Sequence, residues 1–125
     1  MAEWQAQDRL ATARPTPAAF GVAATCTRLL GELEPSIAGA LEDERLDCRE
    51  RSLGTDPADV GRLVELRAWS LELALRSAYA LVTATGGRSM LRSHPAQRLL
   101  REASFYAIQA QTRPLRAATL ARLIR

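Results

Sequence analysis

Apolar residues recur at intervals of three and four through most of the chain, and Pro and Gly interrupt the pattern at a few definite places. That period marks amphipathic helices, and no segment alternates β-branched and polar residues in the manner of a half-buried strand. Thr16-Pro17 predicts the first helix start, a hydroxyl cap followed by Pro in the first turn, where a missing N–H loses no partner. Ala19, Val22, Ala23, Cys26, Leu29, Leu30 and Leu33 then make one apolar face. Pro35-Ser36 restarts the chain, and a more polar second helix runs to about Leu53, with Gly54 suited to the left-handed position past a helix end. Its buried stripe is predicted at Ile37, Ala40, Leu41, the stem of Glu44, Cys48 and Leu53.

Asp56-Pro57 is a third cap-plus-Pro start. From there to Thr85 the pattern sustains a helix of about 28 residues, about 42 Å at the standard rise. Val60, Leu63, Val64, Leu71, Ala74, Leu75, Ala78, Leu81 and Val82 form its broad apolar face, and Gly86 and Gly87 stop it. His94-Pro95 opens a fourth helix with a core face of Ala96, Leu99, Leu100, Ala103, Tyr106, Ala107 and Ala110. Arg113-Pro114 begins a short last one carrying Leu115, Ala118, Leu120, Leu123 and Ile124. The expected fold is all-α: an antiparallel four-helix bundle over residues 16–125 with a short fifth C-terminal helix packed across it, preceded by a tail or partial helix at residues 1–15.

Two stripes do not fit a simple bundle. The outer face of the third helix reads Glu65, Trp69, Glu72, Arg76, Tyr79, Thr83, and that of the fourth reads Arg98, Arg101, Phe105, Ile108, Thr112. Aromatic and aliphatic residues interleaved with Arg on an outward face fill pockets on partner proteins. Trp69, Tyr79, Phe105 and Ile108 are therefore the candidate partner interface.

Composition narrows the picture. A chain of 125 residues, 47% hydrophobic and 25% charged, holds one core and excludes disordered and collagen-like classes. No apolar run approaches the ~18 residues that span a bilayer, and residues 1–10 are polar, so a cytoplasmic location is expected. Cys26 and Cys48 have neither metal-ligand nor disulfide-framework spacing and read as ordinary reduced thiols. All 17 basic residues are Arg, with no Lys or Asn. That bias points to GC-rich coding rather than nucleic-acid recognition, for which no reading motif or stacking stretch is present. The charge is uneven: residues 1–62 hold seven Arg against eleven acids, net −4, and residues 63–125 hold ten Arg against three acids, net +7. An acidic end and a basic end suit docking to a partner or an anion.

Candidate chemistry is sparse. His94 is the lone histidine, and its neighbours Ser93 and Ser89 do not complete a metal site; Ser-His-Pro suits a helix start. Arg98 and Arg101, with His94, are the candidate groups for an anionic substrate. Cys48, between Asp47 and Arg49, has no histidine base beside it.

The stretch Ala78-Tyr79-Ala80-Leu81-Val82-Thr83-Ala84-Thr85-Gly86-Gly87-Arg88-Ser89-Met90, then His94-Pro95, Arg98-Leu99-Leu100-Arg101-Glu102-Ala103 and Phe105-Tyr106-Ala107-Ile108-Gln109-Ala110-Gln111-Thr112, resembles the last helices of acyl-CoA dehydrogenases, especially divergent actinobacterial relatives. In that family a long helix ends in a Gly-Gly turn, Tyr- or His-Pro starts the next, and that helix ends near Glu-Gly-Thr. The resemblance covers residues 60–125 and extends to the first two helices by pattern alone. It implies a stand-alone C-terminal helical domain, without the family's N-terminal helical and middle β-domains. The catalytic Glu of the medium-chain type falls on Ala110 and the adjacent Gly on Gln111, with Thr112 kept. An Ala side chain cannot abstract a proton; Glu32 and Glu34 are substitutes that spacing does not single out. The resemblance also implies that Gly86, Gly87, Arg88 and Thr112 contribute to an FAD shared with a partner subunit, through backbone N–H groups near phosphate and the charge of Arg88 and Arg92.

Three functions follow as expectations. The first is a non-catalytic accessory subunit that completes or stabilises a larger enzyme, in a bacterial secondary-metabolite biosynthetic pathway. The second is the small subunit of a split acyl-CoA dehydrogenase-like flavoenzyme. The third is a cofactor-independent enzyme acting on an anionic small molecule through Arg98, Arg101 and His94. The expected partner is a larger protein subunit, a second copy, or both, with no nucleic acid, no membrane, no metal, and no cofactor held by the chain alone.

Overall fold

The computed structural model describes residues 13–109 and 111–124. Within them the chain is all-helical: α1 Pro17–Leu30, α2 Pro35–Leu53, α3 Val60–Thr85, a short 3-10 turn Gly86–Met90, α4 Pro95–Ile108 and α5 Arg113–Leu123. Residues 1–12 of the expected tail, and Ala110, lie outside the described residues.

Proline placement explains four of the five starts. Pro stands in the first turn of α1, α2, α4 and α5, where it fixes a helical φ without sacrificing a bonded N–H. The third start corrects the sequence expectation. Asp56 turns inward on the backbone N–H of Ala58 at 2.9 Å, an Asx-type turn that competes with helix formation. The helix therefore begins at Val60, capped by Asp59, whose carboxylate accepts from the Arg62 N–H at 3.1 Å. Gly54 likewise keeps an ordinary helical φ of −86°, because its N–H still bonds Glu50 O. The left-handed position belongs instead to Gly86, at φ 71°.

α3 is the shared element: α1, α2, α4 and α5 all pack on it, and α1 also meets α2 and α4. Its burial runs nearly all the way round, with Leu63, Leu66, Ala68, Leu71, Leu73, Ala74, Ala78 and Leu81 withdrawn from water. Ala19, Val22, Cys26 and Leu30 of α1 complete one side of the core, and Ala96, Leu99 and Ala103 of α4 the other. Burying each Leu or Val among them contributes about 1.5–3 kcal/mol relative to exposure, and each Ala less, in proportion to its smaller area. Two rotations differ from the predicted stripes. On α2 Leu41 and Cys48 are buried as expected, but Ala38 joins them in place of Ile37, Ala40 and Leu53, which are exposed. On α5 Leu115 is buried, while Leu120, Leu123 and Ile124 face outward.

A charged seam joins three helices on the outer side of α3. Glu44 of α2 accepts from Arg76 Nη1 and Nη2 at 2.9 and 2.6 Å and from the Trp69 indole N–H at 2.8 Å. Arg76 also donates to Glu72, which in turn accepts from Arg122 of α5 at 3.1 Å. The Arg122 guanidinium lies 5.5 Å over the Trp69 ring. Two carboxylates thus balance two guanidiniums, and their donors and acceptors satisfy one another.

Candidate functional site

The outer face of α3 is one stripe with two fates. Gly61, Val64, Glu65, Trp69 and Glu72 recur at helical spacing, and α5 packs alongside them: Thr112, Pro114 and Ala118 face Val60, Gly61 and Val64 across a concavity, Arg122 closes on Trp69 and Glu72, and Gly61 and Glu65 stay exposed. α5 therefore runs alongside the first half of α3 and stops. The same stripe continues as Leu75, Arg76, Tyr79 and Ala80, where no described element covers it. α2 and α4 flank this second half, and the result is a shallow apolar groove of about 480 Å³, with Ile37 and Leu41 on one wall and Leu100 on the other. Tyr79 stands in it 67% exposed.

The expected interface residues divide accordingly. Tyr79 is in the groove. Trp69 is half-buried, its ring under Arg122 and its N–H on Glu44, so it serves the seam between helices rather than an open face. Phe105 and Ile108 are exposed, but lie about one and two turns along α4 from Leu100 and do not line the groove; Phe105 packs edge-on against Tyr106, centroids 5.7 Å apart. The sequence pattern does not reveal the groove, because it places Ile37 in the core stripe of α2 and Leu75 on the broad apolar face of α3. The signal available was the length of the last helix, too short to cover α3.

The residues expected at a cofactor are not brought together. Gly86, Gly87 and Arg88 are contiguous and exposed at the C-terminal end of α3, and a Cβ at either glycine meets nothing within 4 Å. Thr112 sits near Val60 at the other end of α3, about 39 Å away at the standard rise. Its hydroxyl accepts from the Leu115 N–H at 3.3 Å and caps α5. The position of Ala110 is outside the described residues. His94 caps α4, its Nδ1 accepting from the Ala96 N–H at 3.1 Å. Arg98 and Arg101 are exposed on α4, with Arg98 3.8 Å from Glu102, and no wall encloses the three. Glu32 and Glu34 are exposed in the α1–α2 connection.

Other titratable groups are accounted for by packing. Burial pushes both the Cys26 and the Cys48 thiol up to about 12, so neither is a thiolate near neutrality. Hydrogen bonds from Arg76, and less so from Trp69, hold the Glu44 carboxyl below its ordinary range despite opposing burial. Arg67, on the inner face of α3, is 4% exposed and donates to Arg14 O at 2.9 Å, fixing the segment that leads into α1. Among the described residues no group of three or more His, Cys, Asp or Glu converges as metal ligands, and no helix is long and apolar enough to cross a membrane. The chain matches no family model, no curated protein and no solved structure.

Proposed function

We propose that this chain is a non-catalytic accessory subunit that docks on a larger protein by receiving one of its helices in the groove over Leu75, Tyr79 and Ala80. The observation that carries this reading is the half-covered outer face of α3. α5 lies on the first half as one helix on another, and the second half offers the same kind of bed, lined almost wholly by apolar side chains. An exposed tyrosine at the centre of an apolar patch is the residue type that dominates binding energy at interfaces. On this reading α1 to α4 form an antiparallel four-helix bundle of the acyl-CoA dehydrogenase C-terminal type, α5 is a strap, and the partner, in a bacterial biosynthetic pathway, carries the chemistry.

Co-expression with the products of neighbouring genes, followed by affinity capture, tests the proposal. A partner retained by the native chain and lost with Tyr79→Glu, at unchanged thermal midpoint, supports it. Retention by both proteins, or a chain that stays monomeric with every neighbour, refutes it.

A second reading, a flavin shared with the partner, is favoured by the open backbone at Gly86 and Gly87 beside the exposed Arg88. The remoteness of Thr112 removes one of the four expected contacts, so the turn alone would face the cofactor's phosphates. A captured complex that is yellow supports this reading, and a colourless active complex rejects it.

A further inference from the structure

A second concavity lies at the opposite end of α3, between the start of α1, the end of α2 and the α2–α3 connection. We infer that this cleft binds an amphiphilic anion, a carboxylate or sulfonate carried on an apolar body. Its volume is about 580 Å³, within the range of small-molecule sites. Phe20 and Leu63 line its apolar interior, and Leu53, 76% exposed, lines it too.

Three arginines line the cleft, and their partners distinguish them. Arg45 is spent on Glu42, donating through Nε at 2.8 Å and Nη2 at 2.5 Å, while Thr27 holds the same carboxylate from α1 at 3.0 Å. Arg45 is therefore a neutralised wall. Arg49, one turn farther along α2, and Arg14 are exposed and form no ion pair among the described residues. Asp47 is engaged with Arg51 at 2.9 Å and Asp56 with the Ala58 N–H. The hydroxyls of Ser52 and Thr55 donate to the carbonyls of Cys48 and Arg51, which leaves the two guanidiniums as the donors for an anion. Two unbalanced cations thus meet an apolar cleft in the half of the chain that is otherwise acidic. A guanidinium fork suits a carboxylate or sulfonate head, and the apolar lining suits the body attached to it.

Gly21 supplies the means of testing this. It lines the cleft, and a Cβ there meets nothing within 4 Å, so Gly21→Leu places its side chain in open cleft space. Leu is also a better helix former than Gly, so the variant retains its fold. The probe is 8-anilinonaphthalene-1-sulfonate, compared with its uncharged analogue N-phenyl-1-naphthylamine and followed by amide chemical shifts. Saturable binding with shifts centred on Gly21, Arg49 and Ser52 is expected, weakened about tenfold or more by Arg49→Ala and for the uncharged analogue. Gly21→Leu should abolish it without lowering the thermal midpoint, and Tyr79→Glu should leave it unchanged, which separates this site from the groove. Absence of saturable binding, shifts centred on Tyr79, or equal affinity in native, Arg49→Ala and Gly21→Leu proteins would overturn the assignment.

Discussion

Replacing Glu44 by Gln tests the charged seam, because the substitution keeps the shape of the side chain and removes only its charge. In the native protein Glu44 accepts two bonds from Arg76 and one from Trp69. A hydrogen bond to a charged acceptor contributes about 1.5–3 kcal/mol against about 0.5–1.5 for a neutral pair, so the indole bond loses about 1 kcal/mol. Arg76 is 41% exposed on its side chain, and solvent screening reduces its share to about 0.5–1 kcal/mol. The expected loss is about 1.5 kcal/mol near neutral pH, a fall of about 5 °C in thermal midpoint for a domain of this size. The pH dependence supplies the decisive part. A carboxyl whose folded pKa is depressed stabilises the fold above its unfolded value, and that contribution disappears as pH falls through the folded one. Glu44 is depressed chiefly by Arg76, so the gap between native and variant protein should close as pH is lowered from about 7 to about 3. Urea unfolding of both proteins followed by far-ultraviolet circular dichroism measures the gap. A gap that stays constant across that range would refute the charge-based account, since other carboxyls titrate equally in both proteins.

Two further outcomes follow from burial and backbone geometry. With both thiols pushed up to about 12 and fully buried, Cys26 and Cys48 should resist Ellman's reagent in the native state and react at the rate of unfolding; prompt labelling without denaturant contradicts the packing. Gly86 at φ 71° and ψ −143° occupies a region nearly closed to other residues, so Gly86→Ala should cost about 1–3 kcal/mol in urea unfolding, whereas Gly87→Ala, with open space at its Cβ and no left-handed φ, should change stability little.

Helix number and approximate ends were legible because Pro fixes the start of four helices and the apolar period persists through each. Rotation was less legible where a helix is polar. α2 carries apolar residues at Ile37, Leu41, Leu46 and Leu53 on several sides, and its own sequence offers no sharp stripe from which to choose Ala38 over Ile37. The start of α3 is ambiguous in the sequence because Asp56-Pro57 and Asp59 both offer a cap, and only the Asx turn at Ala58 decides between them.

The presence of outward aromatics on α3 is legible in the sequence and their exposure is not, and Trp69 and Tyr79 show why. Both are aromatics among charges on one stripe of α3, three turns apart at most, and nothing local to either distinguishes them. What separates them is where α5 ends: Arg122, fifty residues on, reaches Glu72 and the Trp69 ring but not the turn that bears Tyr79. An outward aromatic is thus satisfied or left open by the length of a remote helix, a quantity the local pattern does not contain. The same holds for the arginines. Clustering in sequence points to Arg98 and Arg101, which are exposed on α4, Arg98 beside Glu102. Arg14 and Arg49, thirty-five residues apart, converge on an apolar cleft because α1 and α2 fold back on each other through Thr27 and Glu42. Binding strength at a guanidinium depends on how much water it excludes around its ligand. Concavity therefore decides which of the seventeen arginines can act as a site, and it arises from helix pairing rather than from charge density along the chain.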